Sequence, residues 1–340
     1  MPRSASSASG SDDEGLGALL EEPEGFRPPS PPPTVRSYTR RKYGGVGERA
    51  GAEQVEVGLV SGHPLWGHIL YPAAIAMARF LELHASSLLH GPEGRGKGKG
   101  KAVLELGAGG GLPGLVAALE GAGQVVISDF PDAALVKNLE NNVETNVTAL
   151  SSPDVAQTRA VGFTWGSPPT PLFETLDPPS RKFDLVLLSD LVFNHSQHLA
   201  LLNTCLSCLA PPPPSSSASP SSATAPPQRP SVDLAPEVLS TPAVLCFFSH
   251  HRPKFVEADL KILELAQEHG WEVTQVWEDP DAGAKEPYCN SRGGSRSPTA
   301  ASPQWKWTDR PAFPEDEDRL GQPAIRGTVH GWMFARPLRS

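Results

Sequence analysis

A run of apolar residues passes directly into glycines and then into a helix start in VLELGAGGGLPG, residues 103–114. Ala102–Leu106 predicts a buried strand, and Pro113 falls in the first turn of a helix predicted over Leu112–Glu120. The glycines between them let the chain turn tightly and let a ligand approach bare main chain. The helix start adds free N–H groups and the positive end of a dipole, which suit an anionic group. This order of elements predicts a βαβ unit with a ligand site at its turn.

The chain that follows this turn continues to alternate strand and helix patterns. Further strands are predicted at Gln124–Ser128, Thr158–Phe163, Phe183–Ser189, Ala243–Phe248, Trp271–Val276 and Gly327–Phe334. Helices are predicted at Leu70–Leu89, Asp132–Val147, Ser196–Leu209 and Val256–His269. The continuous apolar run FDLVLLS is typical of a parallel strand that is covered on both faces. We therefore expect an α/β fold: a Rossmann-like, doubly wound, mostly parallel seven-stranded sheet with helices on both faces.

Proline, glycine and serine mark the parts of the chain that cannot contribute to this core. The 340 residues include 37 Pro and 32 Gly, many of them in low-complexity stretches. We expect a disordered tail at 1–52 and one domain at 53–340, interrupted by disordered insertions at about 211–236 and 279–322. The basic residues Arg40-Arg41-Lys42 are interpreted as solvated charge in the tail, the alternative being a patch that steers an acidic partner.

Charge and cysteine content exclude several classes of protein. The net charge of −9 argues against sequence-independent nucleic-acid binding, which needs a basic face. No run is long enough to cross a bilayer and no secretory signal core is present, so we expect a cytoplasmic protein without a membrane partner. Cys205-x-x-Cys208 has no second pair at zinc spacing, and His195, His250 and His251 show no ligand spacing. No metal site is therefore expected.

The glycine turn acquires meaning from Asp129, which ends the next predicted strand. A carboxylate at that distance from such a turn is suited to the hydroxyl groups of a ribose. The dinucleotide pattern G-x-G-x-x-G fails when it is counted from the first glycine after the strand: Gly107 and Gly109 fit, but the third position is Leu112. The pattern is met only in a later register, from Gly109. A nucleoside ligand other than a dinucleotide is favoured.

Several segments carry a resemblance to one family. Glu105-Leu106-Gly107 resembles motif I of class I methyltransferases, whose ligand is S-adenosylmethionine. Asp190-Leu191-Val192-Phe193 resembles the D-x-x-[YF] motif after the fourth strand of the seven-strand protein-lysine methyltransferases grouped as family 16. Further elements of that group are resembled by GHPLWGH at 62–68, GFTWG at 162–166 and FSHHRP at 248–253. Together they look like the fungal branch that methylates the N-terminal region of translation elongation factor 1-alpha, also labelled nicotinamide N-methyltransferase-like.

The resemblance implies a role for each matching residue. It implies that Asp190 orients the target amine and that Phe193 borders the channel receiving it. It implies S-adenosylmethionine as the cofactor, a protein substrate suspected to be elongation factor 1-alpha, and a monomer. The residues implied to bind the cofactor are Trp66, Glu105, Gly107, Ala108, Gly109, Asp129, Trp165 and Ser189.

Alternatives remain open at this point. A small-molecule N-methyltransferase with a nicotinamide-like substrate would carry the same motifs. A nicotinamide-cofactor dehydrogenase is disfavoured by the glycine register, and a non-catalytic scaffold by the intact Gly107, Asp129 and Asp190. In a methyltransferase the attacking nitrogen must be neutral, so burial of the amine in an aromatic channel would assist by disfavouring the ammonium form.

Overall fold

The structure, a computed structural model, describes residues 33–41, 53–60, 69–179, 181–212, 236–279 and 328–336. Its strands are β1 (Thr34–Thr39), β2 (Gln54–Leu59), β3 (Ala102–Leu106), β4 (Gln124–Asp129), β5 (Gln157–Gly162), β6 (Leu185–Ser189), β7 (Ala243–Ser249), β8 (Glu272–Asp279) and β9 (Val329–Ala335). Its α-helices are α1 (Pro72–Leu83), α2 (Ala85–Leu88), α3 (Leu112–Leu119), α4 (Ala133–Asn146), α5 (Thr170–Phe173), α6 (His198–Cys208), α7 (Pro236–Ser240) and α8 (Val256–Glu268). Trp66 and most of the two predicted insertions lie outside the described residues.

Strands β3 to β9 form one sheet of seven strands in the order β5-β4-β3-β6-β7-β9-β8. The pairs β3–β4, β3–β6, β4–β5 and β6–β7 are parallel. The final strand β9 inserts between β7 and β8 and is antiparallel to both. The predicted doubly wound, mostly parallel sheet is therefore confirmed, and the central strands β3 and β7 are buried along their whole length.

Alternate residues of the central strands pack into two separate apolar cores, one on each face of the sheet. Leu187 of β6 and Leu245 of β7 lie in the core formed with α1, α3 and α4. Their neighbours Leu188 and Cys246 lie in the core formed with α6 and α8. This period of two places helices on both faces, as the continuous apolar runs predicted. Asp132 caps α4 by accepting hydrogen bonds from two N–H groups of its first turn.

The predicted tail is wrong in part, because Thr34–Thr39 is a strand paired antiparallel with β2. Arg40, expected to be solvated, is buried, and its guanidinium donates to Glu120 Oε1 at 2.9 Å and to the Leu119 carbonyl at 3.0 Å. Tyr38 donates from its hydroxyl to Glu82 of α1 at 3.1 Å. These partners are distant in sequence, so the local composition gave no sign of them. Residues 1–32 and 42–52 lie outside the described part of the chain.

A row of asparagines on α4 joins the β1–β2 hairpin to the sheet. Asn146 exchanges hydrogen bonds with the backbone of Glu56, and Asn142 does so with the backbone of Gly58. Asn142 also donates to the carbonyl of Gly110 in the glycine turn at 2.9 Å. The spacing of four residues brings these side chains onto one helix face. The hairpin and the turn therefore share one hydrogen-bonded support.

Within the described residues, no helix has both the length and the apolar character that crossing a bilayer requires. Cys205, Cys208 and Cys246 are free thiols in the apolar interior, and burial raises the pKa of Cys208 to about 12. Packing, rather than redox or metal chemistry, accounts for these described cysteines.

Candidate active site

The predicted site residues that the structure describes lie after consecutive strands at one edge of the sheet. The glycine turn follows β3, Asp129 ends β4 and Trp165 follows β5, while Asp190 follows β6. Open α/β sheets bind ligands at the carboxyl ends of their parallel strands. The topology therefore gathers residues from distant parts of the sequence into one candidate site.

The glycine turn exposes a short length of main chain. Gly107, Ala108 and Gly109 are partly exposed, whereas Leu106 before them and Gly110 after them are buried. Gly107 has a φ of 60°. A Cβ atom at this position would lie 2.6 Å from Leu191 Cδ2 and 2.9 Å from Trp165 Cζ2. Only glycine fits between these side chains, so the turn, Trp165 and the segment that contains Asp190 are in direct proximity.

Glu105 lies buried beneath the glycine turn and bonds to the start of the helix that follows the turn. Its side chain is fully buried, and Oε2 accepts a hydrogen bond from the N–H of Gly114 in the first turn of α3 at 2.8 Å. Burial raises the pKa of Glu105 to about 8 against the opposing effect of that hydrogen bond, and the charge of Asp129 adds to the rise. Oε1 has no hydrogen-bond partner. Because no part of Glu105 is accessible, its effect on a ligand is transmitted through the main chain of the turn.

Asp129 lies beside the exposed part of the turn. Oδ2 accepts a hydrogen bond from Gly109 N–H at 2.6 Å, and Oδ1 accepts one from Phe130 N–H at 2.6 Å. Phe130 itself is 48% exposed, although it is large and apolar. It was missed in the sequence because a single aromatic residue after a strand carries no distinctive spacing.

Trp165 is held in place by the loop after β5. The N–H of Gly166 donates to Thr204 Oγ1 of α6 at 2.8 Å, and Trp165 packs against the core on that face. Its side chain is only partly buried. An aromatic ring is thus presented beside the glycine turn, as its predicted role in cofactor binding requires.

Asp190 has an unusual backbone and a buried carboxylate. Its φ of 60° is a conformation that side-chain-bearing residues rarely adopt. Its N–H donates to the carbonyl of Phe247 at 2.7 Å, and its Oδ1 accepts from the N–H of Ser249 at 3.2 Å. Oδ2 is buried without a hydrogen-bond partner. Strain and an unsatisfied buried oxygen together are typical of a functional position rather than of a strand end. Ser189, just before it, is partly exposed.

Aromatic rings surround Asp190 on the side that faces solvent. Phe193 is 40% exposed, and its ring meets the ring of His251 edge-on at 6.0 Å between centroids. His251 also meets Tyr71 edge-on at 5.2 Å and places Nε2 at 3.2 Å from Asp190 Oδ1. Burial, and then the charge of Asp190, raise the pKa of Tyr71 far above its ordinary value. Tyr71 was missed in the sequence, and His251 was considered there only as a metal ligand.

His195, His250 and His330 form a separate cluster around Asp259. The buried carboxylate of Asp259 on α8 lies 2.7 Å from His195 Nε2 and 2.8 Å from His250 Nδ1. His330 of β9 packs beside His250, and its pKa is lowered to about 4 by burial and then by that neighbour. Among the residues that the structure describes, no group of His, Cys, Asp or Glu has the arrangement of a metal site.

The chain is similar to known methyltransferases. A family model described as lysine methyltransferase matches residues 61–216. A protein N-terminal and lysine N-methyltransferase of Schizosaccharomyces pombe is 31% identical over 96% of this chain and 98% of its own length. Proteins with the same description from Eremothecium gossypii and Cryptococcus neoformans are 38% and 34% identical, covering 75% and 82% of this chain and 82% and 74% of their own lengths.

Proposed function

The chain belongs to the lysine methyltransferase family, whose methyl donor is S-adenosylmethionine, and we propose that it methylates an N-terminal amine and a nearby lysine of translation elongation factor 1-alpha. The relatives named above are described as protein N-terminal and lysine N-methyltransferases. The observation that carries the proposal is the unpartnered, buried Oδ2 of Asp190 next to the exposed ring of Phe193. An ammonium or amine on an alkyl stem matches both features.

The residues on the glycine side fit the cofactor. The bare main chain of Gly107–Gly109 suits close approach of the amino-acid part, and the carboxylate of Asp129 at the end of β4 suits ribose hydroxyls. The exposed ring of Phe130 and the partly exposed ring of Trp165 suit the adenine. We extend the cofactor contacts to Trp66, Ala108 and Ser189, and we assign Glu105 to support of the turn. When bound, the cofactor supplies a methyl group on a positively charged sulfur.

The residues on the other side prepare the amine. A lysine has a pKa of about 10.4 and an α-amine one of about 7.7–8.0, so either arrives at least partly protonated at neutral pH. Contact with the rings of Phe193 and Tyr71 removes water from the amine and disfavours its charged form. Asp190 orients the nitrogen, and Phe193 holds the methylene stem. Because a Cβ atom at Gly107 would meet both Leu191 and Trp165, these side chains lie close to the glycine turn. Amine and cofactor would therefore be held adjacent, and this positioning supplies most of the rate.

The choice of substrate rests on the resemblance of the motifs to the fungal elongation-factor branch. A cytoplasmic location follows from that substrate. We propose that the enzyme works as a monomer and without nucleic acid, in keeping with its net charge of −9.

The test uses peptides that copy the N-terminus of elongation factor 1-alpha, with the α-amine free or acetylated and with the lysine present or replaced by arginine. Mass spectrometry after incubation with S-adenosylmethionine should find methyl groups on each available amine. Phe193→Ala and Asp190→Asn should cut the rate about a hundredfold while cofactor affinity stays within a few-fold. If neither peptide nor the full-length factor is methylated while nicotinamide is, the small-molecule alternative replaces this proposal.

A further inference from the structure

We propose that His251 is the base that takes the proton from the substrate amine, and that Asp190 holds its imidazole in place. This inference rests on the proposed function, since it names the proton acceptor for the same amine. It changes the part that Asp190 plays: Asp190 acts on the amine through His251 as well as by orienting it. Methyl transfer to a lysine depends on such an acceptor, because the protonated amine has no lone pair.

The geometry of Asp190 is that of an anchored carboxylate. The N–H of Asp190 donates a hydrogen bond to the carbonyl of Phe247, and the N–H of Ser249 donates one to Asp190 Oδ1. The same Oδ1 lies 3.2 Å from Nε2 of His251. Two hydrogen bonds to β7 therefore fix Asp190, and its carboxylate can orient the imidazole. A buried carboxylate that orients a histidine and stabilises its protonated form is the arrangement used for general bases in other enzymes.

The imidazole is the more accessible member of the pair. The side chain of His251 is 16% exposed, whereas that of Asp190 is 4% exposed. The ring of His251 contacts Phe193, the residue that borders the proposed amine channel. Among the residues that the structure describes, the carboxylate of Asp190 and the hydroxyl-bearing ring of Tyr71 both face it, and Tyr71 comes from the chain just before α1. An amine lying along Phe193 would meet the imidazole before it meets the carboxylate.

The preceding residue, His250, provides a contrast. Its side chain is 6% exposed and is bonded through Nδ1 to Asp259. It packs against Phe248 and His330, away from Phe193. Adjacent residues at the end of β7 thus place one imidazole in the amine site and the other in the interior. The two histidines form a matched pair for experiment.

The proposed step is balanced in atoms and electrons. The substrate ammonium loses one proton to the imidazole of His251, whose Nε2 lies 3.2 Å from Asp190 Oδ1. The freed lone pair of the nitrogen forms a bond to the methyl carbon as the carbon–sulfur bond breaks, with that electron pair remaining on sulfur. The product is a methylated ammonium and a neutral thioether. His251 then releases its proton to water.

The test is the pH dependence of methylation by His251→Gln, with His250→Gln as the control. At pH 7.5 about one lysine in a thousand is neutral, against about a third of α-amines. His251→Gln should therefore be slowed about a hundredfold on the lysine peptide but only about threefold on the α-amine peptide. The lysine defect should shrink to less than about tenfold by pH 9.5, as the amine loses its proton unaided. His250→Gln should show no such dependence on pH or on the substrate.

Other outcomes overturn the inference without touching the proposed function. If the wild-type enzyme methylates the peptides but His251→Gln is equally impaired at every pH and on both amines, His251 has only a structural role. If His251→Gln methylates the lysine peptide at the wild-type rate at pH 7.5, the proposal that His251 is the base is also wrong. Should His251→Gln fail to fold, the pH dependence of the wild-type rate provides the test. The midpoint of the rise in rate with pH should be the same for the lysine and α-amine peptides. A midpoint that differs between the peptides according to the pKa of the amine overturns the proposal. Failure of the wild-type enzyme on both peptides would instead refute the proposed function.

Discussion

Replacing Glu105 with glutamine should remove a pH dependence from the stability of this protein. Glu105 is fully buried beneath the glycine turn, and its pKa in the folded protein is raised from 4.5 to about 8. The main cause is burial, because only the N–H of Gly114 is available to stabilise the charged form. Glutamine preserves the oxygen that accepts this hydrogen bond but cannot ionise.

The sign and size of the effect follow from the raised pKa. Below about pH 4.5 the carboxyl is protonated in both folded and unfolded chains, and its contribution to stability is fully present. Between pH 4.5 and about 8 the folded protein binds one proton more than the unfolded chain, so stability is lost as pH rises through this window. The rise in pKa corresponds to roughly 5 kcal/mol, an upper bound because entry of water or relaxation of the turn lowers the penalty. Glu105→Gln should lack this loss.

The assay is urea unfolding of both proteins without cofactor from pH 5 to pH 8.5. The free energy of unfolding of Glu105→Gln, relative to wild type, should increase by several kcal/mol across this range, since other titrating groups cancel in the difference. Glu144→Gln, an exposed position on α4, serves as the control and should leave the difference flat. A difference for Glu105→Gln that stays constant within about 0.5 kcal/mol would show that this carboxyl titrates normally.

Other predictions address the cofactor side and the insertion. Asp129→Ala should weaken S-adenosylmethionine binding about tenfold to a hundredfold in calorimetry, because charge-assisted hydrogen bonds contribute about 1.5–3 kcal/mol each. Unchanged affinity in a folded variant would show that Asp129 only ends the strand and does not bind the cofactor. Asn142→Ala should cost roughly 3 kcal/mol in thermal or urea unfolding, since it removes the partner of the Gly58 N–H and of the buried Gly110 carbonyl. Asn138→Ala should cost about 1 kcal/mol or less, because Asn142 still donates to the Gly58 carbonyl that Asn138 bonds. Equal losses would contradict the shared support. Deleting Pro211–Pro230 should leave methylation of the peptides intact, because long surface loops cost little to shorten; loss of activity in soluble protein would mean that this segment recruits substrate.

The cofactor half of the site could be predicted because its signals are local. A strand, a glycine turn and a helix start are contiguous, and Asp129 follows at the end of the next strand. Parallel strands that follow each other bring their carboxyl ends to one edge, so the position of Asp190 beside the turn also followed from the order of elements. The functional residues of these segments are close together in the sequence, so a sequence motif can identify them.

The partner of the Glu105 side chain was not predicted in this way. Its position ahead of the glycines suggested contact with the cofactor, yet the side chain faces the start of α3 and supports the turn. A strand that is buried on both faces gives no alternation from which the direction of one side chain can be inferred. Only the packing of α3 on β3 reveals the partner of this carboxylate.

The sequence alone thus specified the sheet, its helices and the order of the chemical groups along its edge, because hydrophobic periodicity and turn residues act over a few positions. The tertiary structure decided the partners. Arg40 and Glu120 are 80 positions apart, and the strand before Arg40 is linked to the glycine turn through β2 and α4. Tyr71, Asp190 and His251 lie together although they come from three parts of the chain that no local pattern connects. Contacts of this kind depend on how the chain closes in space, and they determine which imidazole faces the amine and which carboxylate is buried.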